Sequence, residues 1–188
     1  MNEIEIIKKL STDKEVFSMI IDMYENKLLK YILKITDISL EEAENLLQEV
    51  FLKVYLNIFD YDEKFPFSSW IYRITHNVTI DYYRKYDKKS KKVDYGDDDD
   101  LKNIIENIVD EGNNPSEIFA KKELKTCVKK SISSLHIQFR EILVLKFIEG
   151  KDYNEISDIL MIPVGTVGTL INRGKKQLKE IIIKNKCI

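Results

Sequence analysis

Residues 67–85 read FSSWIYRITHNVTIDYYRK, in which rings, an amide and guanidinium groups recur at short spacing. Flat rings can stack on base faces, a carboxamide can read a polar base edge, and cations can follow phosphates. At about 100° per residue, Trp70, Arg73, Asn77, Asp81 and Arg84 share a stripe within about 80° of arc. Beside it runs a core stripe of Ile71, Ile74, Val78 and Tyr82. The expectation is that Trp70 faces outward as a stacking ring, that Asn77 reads a base edge, and that Arg84 and Lys85 track the backbone. The preceding stretch FDYDEKFPF adds Tyr61 and Phe65 in a loop suited to wall a pocket for an extruded base.

A second constellation lies at 151–183, KDYNEISDILMIPVGTVGTLINRGKKQLKEIII. Asp152 can cap a short helix ending near Leu160, Met161 to Pro163 form a turn, and a longer helix follows from about Val164. Two helices joined by three or four residues make a helix-turn-helix. In the longer one Val167, Ile171, Gly174, Leu178 and Ile182 form the inner face. Thr166, Thr169, Arg173 and Lys176 line the outer face, with Asn172 and Lys179 alongside. Threonine and asparagine can read base edges, arginine can fork onto a guanine or phosphate, and lysines can meet phosphates. The plainer alternative is an amphipathic helix with a basic solvent face.

These groups need elements to hold them. One helix is expected over 15–35. A second begins near Ser39, whose hydroxyl can cap free amides, with Glu41 and Glu42 in its first turn. Ala43, Leu46, Leu47, Val50, Phe51, Val54 and Ile58 gather on its core face. Asn45, Glu49, Leu52 and Leu56 lie opposite, rimmed by Gln48 and Lys53, so this side is either a docking stripe or merely carries two exposed leucines. Ser68 or Ser69 is expected to cap the third helix, and further helices are expected near 115–132 and 136–149. With six glycines and three prolines in 188 residues, the chain reads as all-α.

Between 93 and 119 stand 9 acidic residues and 1 basic, a net of −8, whereas 120–188 hold 14 basic and 7 acidic, a net of +7. The first stretch includes VDYGDDDDLKNIIENIVDEGNN, which reads as a flexible acidic linker with one short helix over Leu101 to Val109. The positive block is the footprint of a polyanion partner. The resulting division is 1–92, a linker at 93–114, and 115–188. Only four of the 30 basic residues are arginine, namely Arg73, Arg84, Arg140 and Arg173, each in a helix where a planar donor fork would be useful.

Catalytic patterns are missing. His76 and His136 lie in separate domains without neighbours at metal-ligand spacing, and there is no G-x-S-x-G, P-loop or G-x-G-x-x-G. Cys127 and Cys187 are isolated and read as free thiols of a reducing cytoplasm. The acidic N-terminus lacks the pattern of a secretory signal, and no apolar run approaches the roughly 18 residues of a membrane span.

The order and spacing of AENLLQEVFLKVY at 43–55, the 67–85 segment, FREILVLKFIEGKDYNEISDILMIPVGTV at 139–167 and RGKKQL at 173–178 resemble the extracytoplasmic-function (ECF) group of bacterial RNA polymerase sigma factors. The resemblance spans roughly 14–90 and 116–184. It implies a non-catalytic, cytoplasmic subunit without cofactor, small-molecule substrate or membrane insertion. Asn45, Gln48, Glu49, Leu52, Lys53 and Leu56 would dock on core RNA polymerase. Tyr61, Phe65, Trp70, Arg73, Asn77, Arg84 and Lys85 would melt and read the minus-ten element as single-stranded promoter DNA. The helix-turn-helix would read the duplex minus-thirty-five element through Thr166, Thr169, Asn172, Arg173, Lys175 and Lys176, and an anti-sigma factor would hold the protein inactive. One departure stands out: after GTV the family carries Lys or Arg, Ser, and Arg, where this chain has Gly168, Thr169 and Leu170. Thr169 replaces the serine as a hydroxyl donor, and two phosphate contacts are expected to be lost. The rival readings are a stand-alone helix-turn-helix regulator and a polymerase-sequestering interaction module.

Overall fold

The computed structural model describes residues 16–86 and 127–186. The residues expected to form the acidic linker, a short helix within it and the start of the helix near 115 lie outside the described residues. Among the described residues every regular element is helical, as an all-α chain requires. The chain forms two compact units.

In the first unit, α1 (Phe17–Ile35), α2 (Leu40–Asn57) and α3 (Phe67–Tyr86) pack on one another, and a single 3₁₀ turn (Ile58–Asp60) ends α2. Ser39 caps α2 reciprocally. Its hydroxyl accepts from the Glu42 amide at 3.3 Å, and the Glu42 carboxylate accepts from the Ser39 amide at 2.9 Å. Ala43, Leu46, Leu47, Val50, Phe51, Val54 and Ile58 are all buried, as the apolar period requires.

α3 departs from expectation at its start. The helix opens at Phe67, and the amides of Ser69 and Trp70 both donate to the Pro66 carbonyl. Ser69 is buried and its hydroxyl oxygen has no partner, so it is not a cap. The buried face of α3 is also wider than a single stripe. Tyr72, Thr75 and Thr79 join Ile71 and Val78, while Ile74 and Tyr82 are half-buried. Thr75 satisfies its hydroxyl by donating to the Ile71 carbonyl at 2.9 Å, the usual solution for a hydroxyl within a helix. Tyr82 reaches outward and donates to Glu42 at 2.9 Å, tying α3 to the cap of α2.

The second unit holds the helical stretch 127–133, α4 (Ile137–Phe147), the start of α5 (Tyr153–Leu160) and α6 (Val164–Lys184). Just past the end of α4, Gly150 stands at φ 66°, and the Lys151 amide donates back to the Leu145 carbonyl at 2.9 Å. This is the left-handed glycine termination common after helices. Asp152 and Glu155 cap α5 reciprocally, at 2.8 and 2.9 Å. Met161, at φ 55°, stops α5, and α6 starts at Val164 behind Pro163. Gly174 lets α6 approach α4, since a Cβ there would stand 3.3 Å from Leu143.

Arg140 is buried, and its guanidinium donates to the carbonyls of Ser133 and Leu135. One guanidinium nitrogen therefore fastens the loop before α4. Cys127 is disulfide-bonded, which corrects the expectation of free thiols, because isolation in sequence does not measure distance in the fold.

Candidate nucleic-acid interface

The outer face of α3 carries the groups expected there, with one exception. Asn77, Arg84 and Lys85 are exposed and Arg73 is half-exposed. Arg84 lies 3.8 Å from Asp81, with both side chains mostly in solvent. Such a pair contributes little and leaves the guanidinium available to a phosphate.

Trp70 is the exception. It is only 7% exposed, so it does not offer an open stacking face. Its ring centroid lies 5.6 Å from that of Tyr61 and 5.5 Å from that of Phe67. Phe67 in turn meets Tyr24 at 5.7 Å and Tyr61 at 5.3 Å, both edge-on. Tyr61, from the loop before α3, packs on the indole. Trp70 is thus a packing residue that fixes this loop.

The loop itself is shaped by local bonds. The Tyr61 hydroxyl donates to the Phe65 carbonyl at 2.6 Å, the Phe65 amide donates to the Asp62 carbonyl at 3.1 Å, and Asp62 accepts from the Lys64 amide at 3.0 Å. This closed turn holds Tyr61 half-buried against Trp70 and leaves Phe65 43% exposed. Phe59 is 75% exposed, the most open ring of this region, and sequence reasoning missed it. The available signal was an aromatic residue directly after an amphipathic helix had ended. The exposed rings of this region are therefore Phe65 and Phe59, not Trp70.

On α2, Asn45, Gln48, Glu49, Leu52 and Leu56 are exposed and Lys53 is half-exposed. Leu52 and Leu56 are 57% and 66% exposed, and Tyr55 and Phe59 extend them at i+3 and i+7 from Leu52. Together these four exposed apolar groups form a ridge on this side. Glu49 and Lys53 flank it as an ion pair at 3.0 Å.

On α6, Thr166, Thr169, Asn172, Arg173, Lys176 and Lys179 are exposed, and Val167, Ile171, Gly174, Leu178 and Ile182 are buried. Lys175 is half-buried, with its ammonium 5.9 Å from the Phe147 ring centroid. Thr169 donates its hydroxyl to the Gly165 carbonyl at 3.1 Å, so towards a base it presents acceptor lone pairs rather than the expected donor. Leu170 is 8% exposed and belongs to the core. Of the two positions that depart from the resemblance, Leu170 is buried and Gly168 is half-exposed. Among the described residues no cluster of His, Cys, Asp or Glu could hold a metal ion, and no helix is long and apolar enough to cross a membrane.

Two family models match, in order along the chain: Sigma-70 region 2 over residues 20–89 and Sigma-70 region 4 over residues 125–178. A curated relative, the ECF RNA polymerase sigma factor SigW of Bacillus subtilis, is 35% identical, with 89% of each chain covered. The ECF RNA polymerase sigma-E factor of Haemophilus influenzae is 25% identical over 90% of this chain and 89% of its own. Among solved structures, CnrH in complex with the cytosolic domain of CnrY superposes with a TM-score of 0.67 at 19% identity, covering 96% of each chain. The sigma factor RpoE in complex with the anti-sigma factor NepR from Bartonella quintana gives 0.63 at 16%, covering 88% of this chain and 96% of that one.

Proposed function

The chain belongs to the ECF sigma factors of bacterial RNA polymerase, and from that premise we propose how its parts divide the work. As a sigma factor it binds core RNA polymerase, directs it to specific promoters and helps open promoter DNA. This function prevails over the stand-alone regulator and the sequestering module. The chemistry of the reaction belongs to the polymerase, and this subunit, acting in the cytoplasm, contributes binding energy.

In this reading residues 1–92 form the polymerase-binding and minus-ten domain, 93–114 the linker, and 115–188 the minus-thirty-five domain. The α2 ridge, with Leu52 and Leu56 flanked by Asn45, Gln48, Glu49 and Lys53, docks on the polymerase. Phe65 offers a base face in the turn closed by Tyr61, while Asn77 reads a base edge. Arg73, Arg84 and Lys85 follow the phosphates. Stacking worth roughly 1–3 kcal/mol per base offsets the pairing lost when a base leaves the duplex. On α6, Thr166, Thr169, Asn172, Arg173, Lys175 and Lys176 meet the upstream duplex. An anti-sigma factor, of the kind bound to RpoE of Bartonella quintana, holds the protein inactive.

The observation that carries the reading is the match of both regions, in order, to units whose outer faces expose amide, aromatic and cationic groups. Run-off transcription with core polymerase tests it. Addition of the chain yields promoter-dependent transcripts absent with core alone, and no stimulation on any candidate promoter rejects it.

A further inference from the structure

Cys127 is disulfide-bonded and half-buried at the start of the 127–133 helical stretch. Its sulfur lies 3.8 Å from the carbonyl oxygen of Asn185, the residue that ends α6. The Asn185 side-chain amide also donates to the Ser131 hydroxyl at 3.0 Å, and that buried hydroxyl donates to the Cys127 carbonyl at 2.9 Å. Lys186, at φ 55°, then turns the backbone into the left-handed region, its amide donating to the Ile183 carbonyl at 3.0 Å. The end of α6 is thus fastened to the 127–133 stretch. Cys187, which lies outside the described residues, follows Lys186 directly, and the chain holds two cysteines in all. Count and proximity name the same partner for Cys127.

We propose that Cys127 and Cys187 form a thiol–disulfide switch that sets how firmly the end of α6 is held, and through it how tightly duplex DNA is bound. The effect on DNA rests on the reading of α6 as the duplex-binding helix. A disulfide in a reducing cytoplasm is usually transient and redox-sensing rather than permanent. Asn185 is exposed and Cys127 half-buried, so small reagents reach this edge. The oxidant is a low-molecular-weight disulfide. One cysteine thiolate attacks a sulfur of that disulfide and expels a thiolate, leaving a mixed disulfide on the chain. The other cysteine thiolate then attacks the chain's sulfur in that mixed disulfide and expels the second thiolate. Two electrons pass from the cysteine pair to the oxidant, which leaves as two thiols carrying the two protons. The bond closes a loop of about 60 residues that contains α4, α5 and α6. Reduction reopens the loop and loosens the last turn of α6. A recognition helix that must be ordered when DNA arrives binds more weakly than one already fixed.

The test treats the full chain with oxidised glutathione or with dithiothreitol, then alkylates it with iodoacetamide and reads the intact mass. The oxidised chain should stay monomeric and take no alkyl group, and its digest should yield Cys127 and Cys187 in one cross-linked peptide pair. Its thermal midpoint should exceed that of the reduced chain by about 10 °C or more, as closure of so long a loop implies. Fluorescence anisotropy with a labelled mixed-sequence duplex should show the oxidised chain binding roughly threefold to tenfold tighter. Cys187→Ser should bind alike after either treatment. Disulfide-linked dimers, two alkylated thiols after oxidation, or equal midpoints would overturn the switch. Equal duplex affinity of the oxidised and reduced chains, with weaker binding by Arg173→Ala, would also overturn it and leave the α6 reading standing. Unchanged binding by Arg173→Ala would remove the α6 reading and, with it, the control of DNA binding.

Discussion

At the residue scale, the side chains of α3 separate by depth. Asn77 points into solvent whereas Trp70 is buried against Tyr61 and Phe67. The helical wheel gave both the same face, because angle about the axis was legible in the sequence. Which neighbouring rings pack against the first turn was not. Truncating the two should therefore have different consequences. Trp70→Ala should cost about 3–5 kcal/mol of stability through the cavity it leaves, seen as a lower midpoint in denaturant. Asn77→Ala should leave that midpoint unchanged and impair promoter opening. Phe65→Ala should reduce affinity for a single-stranded minus-ten oligonucleotide by roughly 1–3 kcal/mol, the worth of one stacked base. If Trp70→Ala kept its stability and lost only opening, the indole would be a contact after all.

At the element scale, helix ends were legible where the cap is local. Ser39 with Glu42 and Asp152 with Glu155 each satisfy one another's amides within one turn. Ser39→Ala should lower stability by about 1 kcal/mol. The start of α3 was not legible, because there the Pro66 carbonyl takes the amide bonds and the aromatic cluster holds the turn. Glycines on α6 illustrate the same contrast. A Cβ at Gly168 meets Tyr153 at an ordinary 3.5 Å, whereas one at Gly174 meets Leu143 at 3.3 Å. Gly168→Ala should raise stability by roughly 0.5–1 kcal/mol, the backbone entropy that glycine loses in a helix. Gly174→Ala should gain less, since Leu143 must shift. Equal gains in thermal denaturation would mean that the α4–α6 contact is looser than its geometry implies.

At the scale of the molecule, the all-α class and the apolar faces were legible because helical periodicity is long and regular. Departures came from features that helical periodicity does not encode: the disulfide at Cys127 and the burial of Leu170. Neither has a local signature. The acidic 93–119 stretch and the basic 120–188 stretch keep opposite charges on one chain, net −8 and +7, so association with DNA should weaken steeply with salt.

The proposed function requires this chain, through the exposed face of α3, to hold single-stranded DNA open for the polymerase. Permanganate reactivity of thymines in the minus-ten element measures this directly. With core polymerase and the chain, those thymines should become reactive, and Asn77→Ala should suppress the reactivity while the polymerase complex persists. Equal reactivity with and without the chain, or undiminished reactivity in Asn77→Ala, would contradict it.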